Sequence, residues 1–316
     1  MQFLVGFLLI SLFPPALVSA GQATGAHDHF FVTLQGENAV VRLPDGARWD
    51  AGKAMTYITV SPDGKRVLAT SSGEDRIYAY DAHSGELLKR IPVGKTPKGI
   101  KISPDGGIAI AADEGGGTLS FIDMESLTVV KTLPVGQMPH NTTFSSDGKT
   151  AYVALQGGDG IAVIDVETME KTRQIPVEGA PHNVDISADD GTLYVAGIAS
   201  QMLDVVDIES GAVRARVPLS PPHYGVDVLP DGSQVFVSGI AGAVVNVIDP
   251  AKGERTGQVE VGSGPHGLRA DARGEHLYVA VSGEDVIAVV DTTTHKVVRR
   301  MATGAKPFWV AVPGNR

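Results

Sequence analysis

Four of the nine histidines fall in one recurring phrase: Pro139-His140-Asn141, Pro181-His182-Asn183, Pro222-His223-Tyr224 and Pro265-His266-Gly267. Successive copies lie 41–43 residues apart. Neutral imidazole is a common protein ligand for copper, zinc, nickel and iron, and it also exchanges protons near neutral pH. Four imidazoles drawn to one place would hold a metal ion or anchor a small organic or anionic ligand. The competing explanation is duplication: a histidine that caps a turn carbonyl is copied with its unit and does nothing further. Sharing one ion is demanding, because each nitrogen must come within roughly 2.0–2.1 Å of a zinc ion.

Other copies of the slot hold Thr56, Lys98 and Phe308, and the position after it holds Tyr57, Gly99, Asn141, Asn183, Tyr224, Gly267 and Trp309. The expected metal ligands are therefore His140, His182, His223 and His266, with copper or another transition metal as the ion. Tyr57, Lys98, Asn141, Asn183, Tyr224 and Trp309 are expected to contact a ligand; Trp309 is equally suited to packing the last unit. Two positions further on, Lys101, Asp185 and Arg269 share a register, which Asp227 joins if the extra residue of its unit is absorbed before it, so opposite charges fall there. Burial there requires pairing, either along a polar channel or between units. Acidic bends bring Glu37, Glu74, Asp75, Asp113, Glu114, Asp159, Glu284 and Asp285 to the face of the histidines. Beside imidazole they would raise cation affinity; elsewhere they are solvated loops. The remaining histidines offer less: the stretch 27–29 with His27 and His29 reads as a mobile tail or a weak copper binder, His29 shares its register with His276 on the face opposite the slot, and His83 and His295 read as lying in exposed turns.

The elements that must position these residues are legible as a repeat. Ser-Pro-Asp-Gly turns at 61–64 and 103–106, Ser-Ser-Asp-Gly at 145–148, Ala-Asp-Asp-Gly at 188–191 and Leu-Pro-Asp-Gly at 229–232 share the histidine spacing. Each is followed by short β-rich stretches such as TAYVAL, IAVID and VVKTLPVG. Four strands per unit, read as half-buried and alternating, cannot bury both faces of their sheet alone, whereas a closed ring of units can. The fold class is all-β, a seven-bladed propeller of four-stranded blades. Innermost strands should begin near Met55, Pro97, Pro139, Pro181, Pro222, Pro265 and Pro307. The first blade lacks its innermost strand, and Pro307 to Val312 should supply it, so both ends of the chain share one blade.

The stretches YVALQGGDGIAVIDVETMEK and VGQMPHNTTFSSDGKTAYVAL resemble YVTN-type propeller repeats, over nearly the whole chain after residue 20. That resemblance implies a seven-bladed propeller of secreted or periplasmic bacterial type. Similar repeats occur in proteins like the haem d1-binding propeller of cytochrome cd1 nitrite reductase. The repeat speaks to fold rather than to activity.

Composition narrows the chemistry. There are no cysteines, which excludes disulfides, thiolate metal sites, iron–sulfur clusters and covalent c-type haem on this chain. The net charge of −10 disfavours a nucleic-acid partner. The apolar run from Phe3 to Phe13 followed by Val18-Ser19-Ala20 reads as a secretory signal over residues 1–20, although no Lys or Arg precedes it. Residues 21–316 should then be one exported, periplasmic or secreted domain, monomeric and without a membrane span. No GxSxG, Walker, HExxH or dinucleotide fingerprint is present, so an enzyme would have to assemble its site from several blades. The expectation is an exported protein that binds a metal ion or small ligand at a histidine-rich mouth, in a respiratory or metal-handling pathway. The alternatives are an oxidoreductase or lyase at that mouth, or a scaffold docking a periplasmic protein partner.

Overall fold

The computed structural model describes residues 29–219 and 223–314; for His223 and Tyr224 only the strand is described. The segment read as a signal lies outside the described residues. Seven four-stranded antiparallel sheets form the ring. The innermost strands are Met55–Val60, Pro97–Ile102, Pro139–Phe144, Pro181–Ile186, His223–Val228, Pro265–Ala270 and Pro307–Ala311. We number the blades in chain order, blade 1 being the shared one. In it Pro307–Ala311 pairs with Phe30–Leu34 (Phe31 opposite Ala311, Val32 opposite Val310), and Ala39–Leu43 and Ala47–Asp50 complete the sheet. The chain ends therefore close the ring as expected. No helix among the described residues is long and apolar enough to cross a membrane.

Turn chemistry explains the repeat. In blade 2 Ser61 Oγ donates to Asp63, Asp63 accepts the Lys65 N–H, and Gly64 takes φ +69°. Blades 3 and 4 repeat this with Ser103, Asp105, Gly106 and Ser145, Asp147, Gly148. The Asp closing the third strand of blades 2 to 7 also turns the chain: Asp81, Asp123, Asp165, Asp207, Asp249 and Asp291 each accept a backbone N–H two or three residues on.

One expectation changes. Pro139–Phe144, Thr150–Leu155 and Gly160–Asp165 are buried along nearly their whole length, so they do not alternate as half-buried strands do. Each blade packs against a neighbour on both faces, and alternation survives only in outer strands such as Thr128–Pro134. Cations near the rim join one blade to the next. Lys89 Nζ reaches the Ser126 carbonyl (3.0 Å) and Lys131 Nζ the Thr168 carbonyl (3.0 Å). Arg173 reaches the Ile208 carbonyl, and Arg42 in blade 1 the Ala82 carbonyl (3.2 Å). In each case the acceptor lies in the turn between the third and outer strands of the following blade.

Candidate ligand-binding site at the channel mouth

A β-bulge builds the site. In blade 4 the pairing with the second strand shifts register between Pro139 and Thr142, and in blade 2 between Met55 and Ile58. Comparable shifts begin at Pro97, Pro181, His223 and Pro265. The slot falls inside the shift in each case, although in blade 6 the residue there is Tyr224, because His223 itself pairs with Gly239; a bulge re-aims side chains. Both the slot residue and the next one are thereby turned into the crowded centre. Gly99 and Gly267 make room there: a Cβ on Gly99 would lie 2.4 Å from the His140 carbonyl oxygen, and one on Gly267 2.5 Å from the Trp309 ring.

His140 and His182 come together. Both are buried, and their ring centroids are 3.7 Å apart with planes tilted by 33°. Tyr57 Oη lies 3.2 Å from His140 Nδ1 and donates to Asn183 Oδ1 at 3.5 Å; Asn183 Nδ2 lies 2.7 Å from His182 Nδ1. His266 packs instead on Phe308, with centroids 3.9 Å apart, and Tyr57 stands against both Phe308 and Trp309. Trp309 is 2% exposed, so it is a packed wall and not a free stacking surface. Asn141 is also buried and lines a cavity of about 20 Å³ just below, with Tyr57, Lys101, Thr142, Arg269 and Trp309. Blade 6 corrects the expected slot: His223 pairs with Gly239 and Val226 with Val237, as Pro139 pairs with Leu155 and Thr142 with Val153, so the extra residue of this blade puts Tyr224 in the slot and His223 where blade 4 has Pro139.

Of the acidic bends, Glu114 faces the histidines. Its carboxylate lies 3.7 Å from His140 Nε2 and 3.8 Å from Lys98 Nζ. Burial raises its pKa, and Lys98 works against that rise. Other acids cap backbone instead: Asp75 accepts the Thr96 N–H, Glu284 the Ser263 N–H and Asp285 the Lys306 N–H. Asp113, fully buried, accepts the Ser120 and Thr118 hydroxyls, and burial pushes it up to about 6.

Desolvation, reinforced by Lys98, pushes His140 down to about 3 and His266 down to about 4. Both rings are therefore neutral at physiological pH, and the close approach of Glu114 to His140 is not an ion pair. The unfolded chain takes up these two protons near the ordinary histidine value of about 6.5. The stability held above that pH is lost as pH falls through the window from 6.5 towards 3–4. Asp113 and Asp227, each raised to about 6, act in the opposite sense below that pH. Histidine ¹⁵N shifts should show His140 and His266 neutral at pH 5.5; an imidazolium signal from either at that pH would contradict the burial argument.

The geometry bears on metal binding. An ion held by imidazole lies in the ring plane, roughly 2.0–2.1 Å from nitrogen. The His140 and His182 rings are not coplanar, and each has its Nδ1 within hydrogen-bond reach of a neighbour, Tyr57 Oη at 3.2 Å and Asn183 Nδ2 at 2.7 Å. Among the described residues, Asp271, Glu275 and His276 bring donor atoms within 4.8 Å of one another, at the far end of the channel. There His276 Nδ1 is already 3.1 Å from Asp271.

The four charges further along the strands do meet. Arg269 Nη1 lies 2.6 Å from Asp227 Oδ1 and 3.8 Å from Asp185 Oδ2. Asp185 accepts the Thr143 hydroxyl and the Val228 N–H, and Asp227 accepts the Ala270 N–H. Polar channel and inter-blade pairing are thus the same structure.

Known proteins place this fold. Kuenenia stuttgartiensis hydrazine synthase is 23% identical with a TM-score of 0.76, over 95% of this chain and 94% of that one. A functionally unknown protein from Desulfotomaculum acetoxidans DSM 771 is 13% identical with a TM-score of 0.78, over 91% and 99%. Dihydro-heme d1 dehydrogenase NirN, solved in complex with DHE, is 17% identical with a TM-score of 0.70, over 94% and 78%. These likenesses are of fold, and they agree with the cytochrome cd1-type resemblance of the repeats. No curated protein sequence matches the chain. The family model described as "Lactonase, 7-bladed beta-propeller" matches residues 50–230, more than half of the 316 residues, and the chain belongs to that family.

Proposed function

We propose that this is an exported binding propeller whose histidine-lined mouth receives a small, flat ligand. The observation that carries the reading is the pair of buried, closely stacked imidazoles, His140 and His182, with Lys98 and Glu114 at their edge. Neutral rings offer a face for stacking and hydrogen-bonding nitrogens, while Lys98 supplies a positive charge for an acidic group on the ligand. Aromatic and amide walls with few charges are the ordinary make-up of a small-molecule site. NirN, which shares this fold, was solved in complex with DHE, and that supports a small-molecule ligand. A respiratory pathway in the periplasm is the setting we infer.

A second reading rests on Glu114. A carboxyl with a raised pKa beside a neutral histidine is the arrangement of an acid–base pair, which would make the mouth the active site of an oxidoreductase or lyase.

The test is native mass spectrometry, with metal analysis, of the protein exported from its full sequence and purified without a histidine tag. We expect a small-molecule adduct on the wild type that His182→Ala and Lys98→Met each reduce at least tenfold. Stoichiometric copper or zinc dependent on His140 would replace the organic ligand by a metal. Bare protein in every case, with no saturable uptake of added copper or zinc, would sink the binding reading.

A further inference from the structure

Below the histidines, the channel cavity has an unusual wall. Lys101 and Arg269 line it together with Thr59, Asn141, Thr142 and Tyr57, and none of its lining residues is Asp or Glu. Asp227 and Asp185, which pair with Arg269 at 2.6 and 3.8 Å, stand outside this lining; Asp227 also accepts the Ala270 N–H, and Asp185 the Thr143 hydroxyl and the Val228 N–H. Thr142 is 2% exposed, and its hydroxyl has no hydrogen-bond partner among the described residues. A buried hydroxyl left in that state costs on the order of 1–3 kcal/mol unless something in the cavity completes it. The space, about 20 Å³, suits one or two water-sized particles.

We propose that this cavity is a binding site for one small monovalent inorganic anion of halide size, held between Lys101 and Arg269 with the Thr142 hydroxyl donating to it. Cations from blades 3 and 7 and a hydroxyl from blade 4 would then meet on one ion at the ring's centre. The site goes beyond the mouth and does not depend on any ligand there. The charged and titratable groups around Lys101 are Arg269, Asp185 and Asp227, with the Tyr57 phenol next to Arg269. Burial and Arg269 bring the Lys101 ammonium down to about 7, and Asp227 loses its proton near 6. Both changes remove positive charge as pH rises, so anion affinity should fall between pH 6 and pH 9.

Chloride itself is the probe. In ³⁵Cl NMR at constant ionic strength, with gluconate as the replaced anion, the intact protein should show saturable line broadening at pH 6. Thr142→Val, which changes no charge and little shape, should weaken binding several-fold. Lys101→Met should weaken it at least tenfold, while Lys65→Met, an exposed lysine with the same charge change, should leave it intact. Crystals soaked in bromide should give an anomalous peak between Lys101 and Arg269. Broadening that does not saturate, broadening equal in wild type and Thr142→Val, or a cavity without a bromide peak would overturn the proposal.

Discussion

A chain ending at Lys306 should not fold cooperatively. The truncation removes the strand Pro307–Ala311, which pairs with Phe30–Leu34. Phe31, Val32 and Leu34 are at most 2% exposed in the closed ring and would face water along an unpaired edge. The lost strand also carries Trp309 and Val310, at 2% and 0% exposure. Deleting a buried Trp side chain typically costs about 3–5 kcal/mol, and a buried Val adds roughly 1.5–3. Together with the lost pairing this approaches the whole stability of an ordinary domain, about 5–15 kcal/mol. Urea unfolding followed by circular dichroism is the measurement. A wild-type midpoint in the truncated chain would mean that the ring does not need its latch.

Arg269→Met is expected to be the most damaging single substitution in the channel. It leaves Asp227 and Asp185, at 1% and 6% exposure, without the guanidinium that lies 2.6 and 3.8 Å away. Breaking a buried pair by removing one partner typically costs about 3–5 kcal/mol. Adding Asp227→Asn should recover much of the loss, because an amide oxygen can still accept the Ala270 N–H without carrying charge. The pH dependence gives a second check. Asp227 is already raised to about 6 by burial, and losing Arg269 raises it further. The deficit should therefore be smaller at pH 5, where Asp227 takes up its proton, than at pH 8. Equal deficits at both pH values, with no rescue by Asp227→Asn, would show that packing and not charge is at stake.

The blades were legible because their punctuation is chemical. An Asp-Gly turn after five of the innermost strands and an Asp closing six of the third strands satisfy backbone N–H groups locally, so they recur whatever surrounds them. The shared blade followed from counting strands. The mouth was legible only as a register. Spacing showed that His140 and His182 are equivalent, but not that a bulge turns both inward until their rings stack. It also could not single out Glu114 among similar acidic bends, because that depends on which carboxylates find a backbone N–H. Strand burial was misread as alternating for a related reason: periodicity reports one sheet, whereas burial here is decided by the sheets on either side.

The rim cations carry a consequence for how such a ring can grow. Lys89, Lys131, Arg173 and Arg42 each grip the blade ahead through a main-chain carbonyl, not through a side chain. A carbonyl is present whatever residue occupies the turn. A blade copied into a new position thus brings its own hook and finds an eye already waiting on any neighbour. Turn sequences can then drift freely without unfastening the circumference.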